Sequence, residues 1–134
     1  MISHLLDTNA VIDLLAGRSE RLAQRILSAA QGSIGLSSIV AHELFFGARK
    51  STRVEHNLET VRLLLEDFPL LDFGRNDAFV AGEIRALLAF QGKPIGPYDA
   101  LIAGQAKARG FTFVTRNTGE FAGVAGLHIE DWTI

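Results

Sequence analysis

Ile2-Ser-His-Leu-Leu-Asp7-Thr-Asn-Ala-Val-Ile-Asp-Leu-Leu15 changes its pattern at residue 7, and the change decides the fold class. The short apolar run that ends at Leu6 suits a buried strand. Asp7-Thr8-Asn9 then supplies a helix start, and Val11, Ile12, Leu14 and Leu15 follow at helical spacing until Gly17 stops them. The same alternation recurs outward along the chain. A helix is expected from Ser19 to about Ala30, a strand over Ser33–Leu36, and a helix capped by Ser37 or Ser38 that runs to about Lys50. Val54–Asp67 reads as a helix and Leu70–Phe73 as a strand. Asn76–Phe90 reads as a long helix with Phe79, Val80, Ile84, Leu87 and Leu88 inward, closed by Gly92 and Pro94. After the stiff Pro94-Ile-Gly-Pro97 turn, Tyr98–Ala108 is almost wholly apolar and reads as a buried central helix. Phe111-Thr-Phe-Val-Thr115 is a strand, Arg116–Phe121 a loop and Leu127–Trp132 a last short strand. Strands separated by helices pair in parallel, so the expected architecture is α/β with a small central parallel sheet and helices on both faces.

Composition narrows the chemistry. The 134 residues suit one domain over 1–134, and no apolar run approaches the roughly 18 residues of a membrane span. With no basic start and apolar block to mark a signal peptide, a cytoplasmic protein without membrane contact is expected. Cysteine is absent, which excludes disulfides, thiolate zinc and thiol chemistry, and the four histidines are scattered. A metal would be held by oxygen. Thirteen Lys and Arg against fifteen Asp and Glu give a net charge of −2, at first sight unfavourable for a nucleic-acid enzyme.

The acids matter by position. Open parallel sheets bind ligands beyond the carboxyl ends of their strands. Asp7 lies at such an end, as does the Thr115–Asn117 turn; Glu43 and Asp99 border apolar segments. Each has an ordinary explanation as well. Asp7 could be a helix cap, Asp99 a first-turn carboxylate, Glu43 the partner of Arg49 or Arg85, and Glu120 a solvated loop residue. Together the four can converge on one crevice, where bunched carboxylates repel unless a cation neutralises them. An all-oxygen site with few protein ligands suits Mg²⁺, with Mn²⁺ as a substitute, and such an ion promotes hydrolysis of a phosphodiester. Removing these four acids leaves eleven against thirteen basic residues, so the remainder of the chain carries +2. The acidity belongs to the candidate site.

Other residues are less specific. His42 lies about 100° around its helix from Glu43, which favours an interface or core role over general base. Of Phe45 and Phe46, one is expected in the core and the other on a partner surface. Arg49-Lys-Ser-Thr-Arg53 is a basic helix end able to touch RNA backbone. Trp132 reads as a lid on the core.

Four motifs in order resemble PIN-domain ribonuclease toxins of the VapC type: Leu5-Leu-Asp7-Thr-Asn9, Glu43-Leu44 with Gly47, Pro94-Ile-Gly-Pro-Tyr-Asp99 with Leu101-Ile-Ala103, and Thr115-Arg-Asn117-Thr-Gly-Glu120-Phe121. The resemblance runs from about residue 4 to Trp132 and implies a PIN-like fold. It also implies that Asp7 and Asp99 are the principal Mg²⁺ ligands, that Glu43 helps hold metal and water, and that Thr115 lines the same pocket. Asn117 falls where many members carry a fourth acid, and Glu120 is the substitute that a similar subgroup offers. Arg116 replaces a more usual Asn and gains no role. Further implications are a homodimer, a VapB-type antitoxin that binds operator DNA and covers the acidic pocket, and cleavage of a structured tRNA, the initiator tRNA anticodon stem-loop in that subgroup. Two other readings compete. A PIN nuclease of RNA maturation would need no antitoxin. A receiver-like signalling module would need a lysine after the Phe111–Thr115 strand, and there is none.

Overall fold

The computed structural model describes residues 1–134, and the alternation of strands and helices is the expected one. Five parallel strands lie in the order β3-β2-β1-β4-β5: β1 His4–Leu6, β2 Ile34–Ser37, β3 Leu70–Leu71, β4 Thr112–Val114 and β5 Ile129–Glu130. Between them run α1 Thr8–Ala16, α2 Glu20–Ser28, α3 Ser38–Lys50, α4 Val54–Glu66, α5 Arg75–Phe90, α6 Pro97–Arg109 and α7 Thr118–Phe121. The chain steps from β1 to β2 to β3 one way across the sheet, then returns past β1 to β4. Right-handed crossovers therefore put α1–α4 on one face and α5–α7 on the other.

The sheet edge that matters is set by this reversal. β1 and β4 are neighbours that feed helices on opposite faces, so a crevice opens beyond their carboxyl ends. Leu6 pairs with Val114, and the Asp7 N–H donates to the Val114 carbonyl at 3.0 Å, which places Asp7 and Thr115 side by side just past the sheet. Leu5, Leu6, Phe113 and Val114 are buried and form the centre of the core with Val11, Leu36, Ile84, Leu88 and Ile102.

Several expectations need correction. Residues 118–121 form the short helix α7 rather than a loop, and the strands are shorter than their apolar runs. On α5 the inward face is Asp77, Ala81, Ile84 and Leu88; Phe79 is 70% exposed, and Leu87 is also exposed. The small Ala81 faces inward because α5 and α6 approach there at Gly104, where an added Cβ would lie 2.5 Å from the Ala81 Cα. Asp77 is buried but doubly served: its Oδ2 accepts from the Gly74 N–H at 2.7 Å and from Arg109 Nη2 at 2.9 Å. Arg109 thereby ties α6 to the start of α5, and its Nη2 also reaches the Asp72 carbonyl. Trp132 is buried as expected, with its Nε1–H on Glu130 at 2.8 Å.

Candidate active site

Asp7 both caps α1 and lines the crevice. Its Oδ1 accepts the Ala10 N–H at 2.7 Å, so the capping explanation is correct, yet the carboxylate sits almost fully buried at the crevice. Burial pushes its pKa above the ordinary range, against the opposing pull of hydrogen bonding by Thr115 and Ala10 and of the Arg116 charge. Thr115 is itself buried and fixed, its Oγ1 accepting the Asn117 N–H at 3.0 Å.

Asp99 lies in the first turn of α6. Pro97 starts that helix with its fixed φ, and Gly96 as N-cap leaves room for the carboxylate, whose Oδ2 would be 3.4 Å from any Cβ there. Its pKa is pushed up to about 6, first by burial and then by the negative charges of Asp7, Glu120 and Glu43. All four acids named from sequence thus act on one point. Glu43 projects from α3, and the His42 ring beside it meets Tyr98 with centroids 5.7 Å apart, which brings α3 against the start of α6. The expected partners Arg49 and Arg85 do not pair with Glu43. Instead its Oε1 accepts the Thr8 hydroxyl at 2.6 Å, a contact sequence reasoning did not foresee. Glu120 is exposed on α7, and its backbone N–H on the Asn117 carbonyl holds that helix start in place. Asn117 is half-buried and makes no side-chain cap.

Other candidates separate from the pocket. His42 is exposed, Phe45 packs on the core, and Phe46 is exposed with Lys50 5.1 Å over its ring. Missed from sequence was Asp13, a buried carboxylate on α1 paired with both Arg18 and Arg116. The same signal that marked Glu43, an acid in an apolar run, marks Asp13 within Val11-Ile-Asp-Leu14. Beside Glu43, a groove of about 490 Å³ between α1, α3 and α4 is lined by Ile12, Leu15, Leu44 and Val61 among others.

The chain is thus a small parallel α/β domain that brings buried and half-buried carboxylates to the crevice at its topological switch point. The chain belongs to the PIN domain family, whose pattern matches residues 4–127. It is 40% identical over 133 residues to the tRNA(fMet)-specific endonuclease VapC of Shigella flexneri, covering 99% of this chain and 100% of the relative. Ribonuclease VapC2 of Haemophilus influenzae is 36% identical over 98% of this chain and 99% of the relative. Among solved structures, DNA-bound VapBC from Salmonella typhimurium superposes with a TM-score of 0.91 at 39% identity, over 98% of this chain and 99% of that one. VapBC-1 from nontypeable Haemophilus influenzae gives 0.90 at 31% identity over the whole of both chains.

No three of the carboxylates stand in a finished ligand set. The donor chemistry nevertheless fits a hard dication. All donors are oxygens, Mg²⁺ keeps several waters and needs few protein ligands, and the charge that crowds Asp99 is what a cation relieves.

Proposed function

We propose that this chain is the toxin of a VapBC-type pair, a Mg²⁺-dependent endoribonuclease that cuts a structured tRNA. The observation that carries the reading is Asp99, whose carboxyl is held near 6 by burial and by Asp7, Glu120 and Glu43 drawn from three other elements. The names of the relatives supply the substrate class, since tRNA(fMet)-specific endonucleases are 40% and 39% identical over nearly the full chain.

Asp7 and Asp99 would hold the ion, with Glu43 and Glu120 completing the negative shell and Thr115 and Asn117 supporting the pocket. Bound there, Mg²⁺ supplies a Lewis acid that eases deprotonation of water and offsets charge on phosphoryl oxygens. This chain's residues do the rest. The Thr8 hydroxyl fixes one Glu43 oxygen and leaves the other free to orient and take a proton from the attacking water. The Asp7 carboxylate is held rigid by the Ala10 N–H, so the pocket is organised before substrate arrives. The apolar groove beside Glu43 supports a VapB-type partner: a peptide lying along Ile12, Leu15 and Leu44 ends at the acids, where a basic side chain would neutralise them. Operator DNA is then reached only through that partner, and the toxin acts as a homodimer.

Purified protein should cut tRNA in Mg²⁺, stop on adding EDTA and recover with Mg²⁺ or Mn²⁺; cutting that persists in EDTA overturns the metal-dependent reading. Induced expression should arrest growth unless a cognate VapB-type antitoxin is co-expressed. Thr8→Val removes the hydroxyl that steadies Glu43 and is expected to lower kcat/KM for RNA by about 10- to 100-fold, the usual effect of losing a group that orients a ligand. The fold should survive, since Val keeps the shape. Unchanged turnover in this variant would show that Glu43 needs no positioning.

A further inference from the structure

Arg116 and Asp13 are outside the reading above, and they form a unit. Asp13 sits mid-helix on α1 with its side chain 3% exposed, 3.3 Å from Arg18 Nη1 and 3.0 Å from Arg116 Nη1. A carboxylate so deep is tolerated only when paired, and one arginine would serve. Two guanidinium groups on one carboxylate leave a net positive charge at this place. Arg116 directly follows Thr115, and its charge favours the ionised form of Asp7. Its side chain is 45% exposed, and neither Nε nor Nη2 makes a hydrogen bond to protein. The result is a guanidinium anchored from behind by a buried acid, next to a pocket of like-charged carboxylates, with donors still free.

A pocket of four acids repels the phosphates of its own substrate. A planar guanidinium fork matches the oxygens of a phosphate, and fixing one nitrogen in advance reduces the ordering cost of binding. Resting on the ribonuclease reading, we infer that Arg116, positioned by Asp13, binds a backbone phosphate of the RNA beside the one that is cut. Asp13 acts only through Arg116. Arg18 pairs with the other Asp13 oxygen and steadies that acid while it holds Arg116.

The test compares labelled tRNA binding across a salt series for wild type, Arg116→Ala, Arg116→Gln and Arg116→Lys, each carrying Asp7→Asn so that the RNA stays intact. Loss of one phosphate contact should reduce the slope of log affinity against log salt by about 0.7–0.9 in the Ala and Gln variants. The Lys variant should restore it. In the background with Asp7 present, Arg116→Gln should lower kcat/KM by roughly 10- to 100-fold. If Arg116 is merely a tie between α1 and the β4–α7 turn, the Ala and Gln variants lose thermal stability while slope and turnover stay unchanged, and the assignment is overturned. Failure of wild type to cut tRNA in Mg²⁺ would instead overturn the ribonuclease reading, whatever the salt slopes show.

Discussion

Asp99→Asn is expected to end RNA cleavage and at the same time to make the metal-free protein more stable. Both effects come from one cause. The Asp99 carboxyl is pushed from 3.8 up to about 6 because burial and three negative neighbours oppose its ionised form. The folded state therefore favours the protonated acid. Its stabilising contribution is fully present below about pH 4 and is lost as pH rises through about 6. Above that pH wild type carries the repulsion, and the Asn variant does not. In EDTA, the variant's melting temperature should match wild type near pH 4, exceed it progressively up to pH 6–7 and hold a constant lead beyond. Asp7 is also raised by burial, and because its charge and that of Asp99 act on each other, the variant relieves Asp7 as well and the lead grows in the same direction.

Adding Mg²⁺ should reverse the order at pH 7–8, because wild type offers the carboxylate and the variant lacks it. Cleavage should fall by more than the roughly 100-fold that follows loss of a group merely steadying a ligand. A variant no more stable than wild type in EDTA at pH 8 would mean that the four acids do not share one field. A variant that still cuts RNA would remove Asp99 from the reaction.

Asp7, Glu43 and Asp99 were legible because each breaks a local pattern: a polar residue where a strand ends, or a charge in an apolar helix. Their convergence followed from the strand-end rule for parallel sheets, which needs topology and not side-chain detail. The Thr8–Glu43 bond and the Asp13–Arg116 pair were not legible, since they join residues 35 and 103 positions apart and no local period encodes them. On α1 the apolar periodicity was misleading for the same reason. Ile12 and Leu15 are substantially exposed along the groove while Asp13 is buried, an inversion that only its two arginine partners make tolerable. On α5, bulk was a poor guide to orientation. Phe79 and Phe90 are exposed while the small Ala81 is buried, because at Ala81 the facing helix comes too close for a large side chain, and the residue that sets this distance is a glycine with no hydrophobic signal.

That glycine supplies the largest expected loss of stability. A Cβ on Gly104 would lie 2.5 Å from both Cα and Cβ of Ala81 and 2.6 Å from its backbone nitrogen, distances no rotamer change can relieve. Gly104→Ala must force α5 and α6 apart. Overpacking of this kind costs about 1–3 kcal/mol and more where backbone is the obstacle. At this chain length about 3 kcal/mol lowers the melting temperature by roughly 10 °C, and Gly104→Val should leave little folded protein. Gly82→Ala is the matched control, next to Ala81 on α5 but with nothing within 4 Å of its added Cβ; it should gain about 0.5–1 kcal/mol from helix propensity. Gly104 is also five residues beyond Asp99 on α6, so displacement of the helix draws that carboxylate out of the pocket. Turnover of Gly104→Ala should therefore fall even well below its melting temperature. Combining it with Ala81→Gly removes the clash with Cβ but leaves those with Cα and nitrogen, so stability should return only in part. Complete recovery in the double variant would show that the two helices meet through a side chain and not backbone to backbone.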